Sequence, residues 1–159
     1  MSAGKDSKGL LMYRVRDHVL EVLLAHPGGP FFASKDQGVW TIPKGEPAPG
    51  EDGLAAAKRE FEEETGLPPP AARFIPLGDV HQRGGKRVEA WAFEGEWGDR
   101  QLVCNTFELE WPPRSGRMQR FPEVDRVQFF AIDEARRRIN PAQVAFLERL
   151  ASELKAGAP

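Results

Sequence analysis

The chain has 159 residues, of which 40% are hydrophobic and 29% are charged, a composition typical of one soluble globular domain. The formal net charge of −2 at pH 7 provides no overall positive field and argues against binding to duplex nucleic acid. A single cysteine, Cys104, excludes an intrachain disulfide and fits a reducing compartment. No apolar run suits a signal peptide or a membrane span, so we expect a cytoplasmic protein without membrane contact.

Short β-prone runs alternate with helical runs, without an internal repeat or a linker. Residues 1–8 are small and polar and predict a flexible tail, ahead of a single domain over residues 9–159. In chain order the runs predict strands at Leu10–Val15, Val19–Ala25 and Val39–Ile42, a helix between Asp52 and Gly66, strands at Arg73–Val80, Arg87–Glu96 and Val127–Ile132, and helices at Asp133–Ile139, capped by Asp133, and Pro141–Lys155. Residues 98–123 predict irregular structure. This order implies an α/β fold, with a mixed sheet and helices on its faces.

The helix before Gly66 carries a cluster of acids at its end. Glu60, Glu62, Glu63 and Glu64 lie within five residues, although like charges one helical turn apart destabilise a helix by roughly 0.2–0.5 kcal/mol per pair. Glu60, Glu63 and Glu64 are three and four positions apart, so they project from one side, opposite the apolar Phe61. Carboxylates that converge without an equal number of cations favour a hard divalent ion, Mg²⁺ or Mn²⁺. The alternative is a solvated acidic face of a surface helix.

Arg59 is the cation nearest to this cluster in sequence. It lies beside Glu60 and four residues before Glu63, so its guanidinium can orient both carboxylates. Glu51, near the start of the helix, is a second candidate anchor for Arg59.

The spacing of these residues resembles a known family motif. Gly45 is followed after five residues by Glu51, then after seven by Arg59-Glu60, and the pattern ends in Glu63-Glu64, one residue, Gly66 and an apolar Leu67. Over these 23 residues the chain resembles the complete box of the Nudix hydrolases. The resemblance implies an α/β/α sandwich around a mixed sheet. It also implies hydrolysis of a diphosphate bond in a nucleoside diphosphate linked to another group.

The resemblance also implies roles for named residues. Mg²⁺ would be held by Glu60, Glu63 and Glu64, with the backbone carbonyl of Lys44 and the later Glu123 as further ligands. Divalent ions neutralise phosphate oxygens and lower the pKa of bound water. Glu64, with Glu63 as the alternative, would take the proton of that water, while Arg59 and Glu51 would orient the carboxylates.

The substrate is suggested by the residues around the box. VWTIPKGE (39–46) and EVDRVQFF (123–130) resemble the diadenosine-polyphosphate branch. The chain has Arg83-Gly84-Gly85 where that branch offers a tyrosine, and Val124 where it often has a histidine. Base stacking would then depend on one of four other aromatic residues: Phe31, Trp40, Phe107 or Trp111. For each of them, the alternative is a place in the hydrophobic core.

Basic residues offer contacts for phosphates. Lys44, Lys86, Arg114 and Arg117 are the candidates, and a solvated basic loop is the alternative for the two arginines. The preferred function is hydrolysis of a dinucleoside polyphosphate such as diadenosine tetraphosphate. The alternatives are a housecleaning hydrolase of nucleoside triphosphates, an RNA 5′-end pyrophosphohydrolase, and a binding module that senses a nucleotide without chemistry.

Overall fold

A computed structural model describes residues 6–70 and 73–156. Its strands are β1 (Asp6–Arg16), β2 (Val19–Pro27), β3 (Lys44–Gly45), β4 (Ile75–His81), β5 (Arg87–Glu94), β6 (Thr106–Glu110), β7 (Met118–Pro122) and β8 (Val124–Ala131). Its α-helices are α1 (Gly53–Thr65), α2 (Ile132–Arg138) and α3 (Val144–Ala156), and 3₁₀ turns cover Arg83–Gly85 and Pro141–Gln143. No helix within the described residues combines the length and apolar character needed to cross a membrane.

The main sheet has the order β4-β5-β1-β2-β8, with β3 paired to the first part of β1. The β1–β5 pair is parallel, and the other pairs are antiparallel. This is the mixed sheet that the sequence predicts. β1 lies at its centre, so the run Leu10–Met12 is fully buried on both faces.

Helices cover both faces because successive residues of a strand point to opposite sides. On one face Leu10 and Met12 pack with Phe61 of α1. On the other face Leu11 packs in a cluster that contains Phe146 and Leu147 of α3. The predicted α/β/α sandwich is therefore confirmed.

The ends of α1 follow the sequence signals. Asp52 accepts a hydrogen bond from the Ala55 N–H at 3.1 Å and caps the start. Gly66 has the left-handed φ of 82°, and its N–H donates to the Glu62 carbonyl at 2.7 Å. These caps fix the helical register of the acidic residues.

The N-terminal boundary differs from the prediction. Residues 6–8 are not a flexible tail, because β1 begins at Asp6 and the Lys8 ammonium donates to Glu89 of β5 at 2.7 Å. Residues 1–5 of the predicted tail lie outside the described residues. So do residues 71–72 and 157–159 of the predicted domain.

Two further local predictions are wrong. Val39–Ile42 is not a strand but a segment with two isolated bridges, Ala25–Thr41 and Trp40–Ile139, because its backbone bonds run alternately to β2 and to the segment after α2. Asp133 does not cap α2, which begins after Ala131. The Asp133 side chain instead pairs with Arg136 within the helix.

The segment 98–123 contains a hairpin rather than irregular structure alone. β6 and β7 pair antiparallel from Thr106–Pro122 to Glu110–Met118 and form a separate two-stranded sheet. We call residues 106–122 the arm. Its strands are mostly exposed. The five residues of β6, TFELE, alternate between polar and apolar side chains, but MQRFP of β7 does not, so the sequence signal for a hairpin is weak.

Candidate active site

Arg59 is the centre of a hydrogen-bond network on the exposed side of α1. Its Nη1 donates to Glu60 at 2.9 Å and to Glu63 at 3.1 Å, and its Nε donates to Glu51 at 3.0 Å. The hydrogen bond from Arg59 lowers the pKa of Glu51 to about 2. The pKa of Arg59 is raised, first through its bond to Glu51. Arg59 therefore stays cationic and restricts the orientation of three carboxylates.

The Glu60 carboxylate lies against the backbone of Gly45. A Cβ atom on residue 45 would lie 2.1 Å from Glu60 Cδ, so only glycine leaves room for the acid. Burial raises the pKa of Glu60, and the charge of Glu63 acts in the same direction. The box glycine and the first box glutamate are thus fitted to each other.

Glu64 is the most strongly perturbed acid of the helix. Its Oε1 accepts a hydrogen bond from the Lys44 backbone N–H at 3.2 Å. Burial raises the pKa of Glu64 to about 8, and the charges of Glu123 and Glu60 also raise it, against the opposing effect of Lys44. A carboxyl group in this range is suited to exchanging protons near neutral pH.

Glu123 joins the cluster from a different part of the chain. Its charge raises the pKa values of both Glu60 and Glu64, so its carboxylate lies near theirs. Its backbone is fixed on both sides, since its N–H donates to Asn105 at 2.9 Å and its carbonyl accepts from Gly28 at 3.0 Å. The arm therefore begins directly beside the acidic cluster.

The acidic cluster fits a hard divalent cation in charge and in donor type. Its side-chain donors are carboxylate oxygens, which Mg²⁺ and Mn²⁺ prefer. The pKa values of Glu60 and Glu64 are raised first by burial and further by neighbouring carboxylates, and a bound cation would offset both effects. In residues 6–70 and 73–156, no three His, Cys, Asp or Glu side chains already converge at coordination distance, because Arg59 draws Glu60 and Glu63 towards itself.

Two lysines border the cluster. Burial lowers the pKa of Lys44, and the charge of Lys86 lowers it further, so the two ammonium groups are close neighbours. Lys86 directly follows the 3₁₀ turn Arg83–Gly85. Paired cations at the edge of an acidic cluster are suited to the oxygens of a polyphosphate.

The predicted aromatic contacts divide into three groups. Trp40 is wrong as a stacking residue, because its side chain is 0% exposed and packs edge-on against Phe130 in the core. Phe107 is half-buried against Gly29 and Phe121. Phe31, 57% exposed, and Trp111 form an edge-to-face pair with ring centroids 5.3 Å apart.

The predicted arginine contacts lie at the far end of the arm. Arg114 and Arg117 are exposed in the turn between β6 and β7. Six residues of extended chain separate Asn105 from Trp111, roughly 20 Å at the rise of a strand. No hydrogen bond or ion pair found among the described residues joins these arginines to the acidic cluster.

Two features near the site were not found from the sequence. A cleft of about 590 Å³ beside Glu63 is lined in part by Cys104 and Asn105. Gln143, fully buried, accepts from the Ile42 N–H at 3.0 Å. A single glutamine 101 residues away in sequence carries no local signal of such a contact.

Comparisons with known proteins agree with this geometry. A NUDIX domain profile matches residues 7–150, and no curated protein matches. A C. elegans Ap4A hydrolase in a binary complex has a TM-score of 0.70 at 21% identity, covering 94% of this chain and 98% of that one. The NUDIX domain of Shewanella oneidensis NrtR complexed with ADP ribose has a TM-score of 0.66 at 16% identity, covering 97% of this chain and 90% of that one. A mutT/nudix family protein from Listeria innocua has a TM-score of 0.64 at 17% identity, covering 98% of this chain and 97% of that one.

The structural similarities, all below 25% identity, show the fold. The family is shown by the match over residues 7–150. The chain therefore belongs to the Nudix family of hydrolases, which act on acid anhydrides in phosphorus-containing compounds.

Proposed function

We propose that the chain is a Mg²⁺-dependent pyrophosphohydrolase of dinucleoside polyphosphates, with diadenosine tetraphosphate as the representative substrate and Mn²⁺ as an alternative ion. The observation that carries the proposal is the crowding of Glu60, Glu64 and Glu123 beside the two lysines Lys44 and Lys86. Carboxylates for a divalent ion and ammonium groups for phosphate oxygens are the two requirements for cleaving an anionic anhydride. We expect this activity in the cytoplasm.

The metal is assigned to the acidic face of α1. Glu60, Glu63 and Glu64 would hold it, together with the backbone carbonyl of Lys44 and the carboxylate of Glu123. When bound, the ion would neutralise phosphate oxygens and lower the pKa of a bound water. Nudix hydrolases generally use divalent metal ions, and oxygen donors favour magnesium among them.

The catalytic work of the protein itself is assigned to three residues. Glu64, or Glu63 in its place, takes the proton of the attacking water. Burial raises the pKa of Glu64 to about 8, and a cation bound beside it would lower that pKa and favour the ionised, basic form. Arg59 orients Glu60 and Glu63 through its hydrogen bonds. Glu51 holds Arg59 in place from the start of the helix.

We assign the substrate contacts to the two lysines and to the arm. Lys44 and Lys86 would bind the phosphates next to the cleaved bond. Phe107 and Trp111 would contact a base, and Arg114 and Arg117 would bind outer phosphates or the second nucleotide. Because Trp111 is roughly 20 Å from the cluster along the arm, these contacts require a long substrate.

A relative supports the choice of substrate. One similar structure is a C. elegans protein named as an Ap4A hydrolase. Another similar structure is complexed with ADP ribose, so the same fold also binds shorter nucleotides. An RNA 5′ end is the second candidate, because the exposed arginines and aromatics of the arm suit a single strand.

A substrate screen tests the proposal. The purified chain is incubated with Mg²⁺ and diadenosine tetraphosphate, ADP-ribose, nucleoside triphosphates or triphosphorylated RNA, and products are identified by mass. We expect kcat/KM to be highest for diadenosine tetraphosphate, and the masses of its products identify the anhydride that is cleaved. A higher value for RNA would select the second candidate. Hydrolysis of no substrate would overturn both and favour a nucleotide-sensing module.

A further inference from the structure

Gln143 is a buried amide whose polar atoms are all hydrogen-bonded. It lies at the start of the last helix and is 0% exposed. Its Oε1 accepts from the Ile42 N–H at 3.0 Å, and its Nε2 donates to the Thr41 hydroxyl at 2.9 Å and to Gln82 Oε1 at 2.8 Å. A buried amide with all its partners fixes the geometry of each of them, since losing a partner leaves an unsatisfied polar group.

One end of this network is the segment that carries Lys44. Ile42 and Thr41 come two and three residues before Lys44, whose backbone N–H binds Glu64 at 3.2 Å. The same segment is held again by the Asn140 N–H, which donates to the Trp40 carbonyl at 2.7 Å. The region from Asn140 to Gln143 therefore supports the backbone directly before the Nudix box.

The other end is the turn that carries Lys86. The Gln82 N–H donates to the Lys86 carbonyl at 2.7 Å and closes this turn. The turn contains Gly84 and Gly85, both with positive φ, and its residues 83–85 are exposed. The amide of Gln143, through Gln82, is thus a buried anchor for an otherwise exposed turn.

The two lysines repel each other, so their proximity has to be imposed by their backbones. The hydrogen bonds of Gln143 to the Ile42 N–H and to Gln82 Oε1 tie together the two segments that carry these lysines. A phosphate chain between the two ammonium groups would relieve the repulsion.

We propose that Gln143 is a positioning residue that sets the distance between Lys44 and Lys86 and so builds a polyphosphate subsite beside the acidic helix. This inference rests on the proposed function, because it takes the phosphate chain of that substrate as the ligand. Because Gln143 is fully buried, its effect on the substrate would act through the two lysine segments.

A double-mutant cycle tests the inference. Gln143→Leu, Lys86→Ala and the double variant are compared with the parent chain for KM and kcat on diadenosine tetraphosphate. We expect Gln143→Leu to raise KM about ten-fold, the equivalent of one lost charge-assisted hydrogen bond, with less change in kcat. Because Gln143 acts through Lys86, Lys86→Ala should have much less effect in the Gln143→Leu background than alone.

A matched core variant separates positioning from stability. Leu150→Ala removes a fully buried side chain of α3 and destabilises the fold without removing a hydrogen bond of Gln143. It should lower the melting temperature and leave KM within about two-fold of the parent value. Multiplicative effects of Gln143→Leu and Lys86→Ala, or an unchanged KM in Gln143→Leu, would overturn the inference.

Affinities for inorganic tripolyphosphate and diadenosine tetraphosphate, measured by calorimetry with Ca²⁺ in place of Mg²⁺, give a second readout. If the parent chain binds either probe but cleaves no substrate, the proposed activity fails. The role of Gln143 is then tested by comparing the affinities of Gln143→Leu, Lys86→Ala and the double variant for that probe. A parent chain that binds neither probe would overturn the polyphosphate subsite as well.

Discussion

At the scale of single residues, the fit between Gly45 and Glu60 explains a fixed identity in physical terms. The glycine is needed for space rather than for a special backbone angle, because any side chain would meet the Glu60 carboxylate. A carboxylate is the flexible end of its side chain, so a larger residue would displace the acid rather than break the helix. The cost of a change at Gly45 should therefore appear in metal binding.

Gly45→Ala should weaken Mg²⁺ binding at least about ten-fold, since it shifts one of the carboxylates assigned to the ion. Isothermal titration with MgCl₂ measures the affinity. Gly98→Ala is the control, because its Cβ would meet nothing within 4 Å and its positive φ of 67° causes only local strain. Equal Mg²⁺ affinities in Gly45→Ala and Gly98→Ala would contradict the assignment of Glu60.

Glu64→Gln should reduce kcat about 10²–10⁴-fold, the usual contribution of a general base. The amide still accepts the Lys44 N–H, so circular dichroism and the melting temperature should be close to those of the parent. Glu62→Gln changes an exposed glutamate of the same helix and should keep kcat within about two-fold. Near-normal turnover in Glu64→Gln would refute its role and transfer it to Glu63.

At the scale of elements, local signals predict what local chemistry determines. α1 could be read from its apolar spacing and its two caps, and the β1–β2 hairpin from its β-prone runs. The arm could not, because neither of its strands has a buried face. For Trp40 the sequence left base stacking and a place in the core open, and the long-range bonds of its backbone to Arg138 and Asn140 hold it in the core.

The candidate site shows the same division. The spacing within α1 is enough to predict that Glu60, Glu63 and Glu64 share one side. The position of Lys86 near Lys44 and the hydrogen bonds of Gln143 depend on long-range contacts. Gln143 bonds to Gln82, 61 positions away in sequence, and to Ile42, 101 positions away. Such contacts leave no periodic pattern in a single sequence.

The end of α2 should contribute a pH-dependent part of the stability. Arg138 pairs with Asp36 and with Glu134. The pKa of Asp36 is lowered by Trp40 and then Arg138, and that of Glu134 by Arg138 first. Both carboxylates therefore stabilise the fold above their ordinary pKa values of 3.8 and 4.5, and this stabilisation is lost as the pH falls through the lower values of the folded state.

Arg138→Gln should accordingly lower the free energy of unfolding at pH 7 and reduce its loss between pH 7 and pH 3. Urea denaturation at a series of pH values measures both effects. Arg100→Gln removes an exposed arginine whose side chain, within residues 6–70 and 73–156, bonds only to the Trp97 carbonyl, and it should leave the pH profile unchanged. Parallel profiles for Arg138→Gln and the parent chain would contradict the prediction.

At the scale of the whole molecule, metal binding and folding are linked. An ion that binds only the folded chain stabilises it by about 2.7 kcal/mol at one hundred times its dissociation constant. For a domain of this size that corresponds to a rise in melting temperature of roughly 5–10 °C. We expect MgCl₂ to produce this rise and NaCl at equal ionic strength not to. Glu60→Gln should reduce it, and an unchanged melting temperature in MgCl₂ would argue for a solvated acidic helix.

The arm offers a test of substrate length that leaves the rest of the chain in place. Glu110 and Met118 face each other across the arm, so residues 111–117 can be replaced by Asn-Gly, a two-residue hairpin turn. This variant lacks Trp111, Arg114 and Arg117. We expect kcat/KM for diadenosine tetraphosphate to fall about ten-fold and that for ATP to stay constant. An equal effect on both substrates would remove the arm from the binding site.

The parallel pairing of β1 with β5 also bears on how the protein is made. A ribosome delivers β1 and β2 first, but the register of Asp6 with Arg87 requires some sixty residues beyond β2 before the second edge of the central strand is paired. Until then the strand that holds Leu10–Met12 has one open edge, a template for pairing with other nascent chains. Slow translation between β2 and β5 would therefore lengthen the interval in which this chain is most prone to aggregate and most dependent on chaperones.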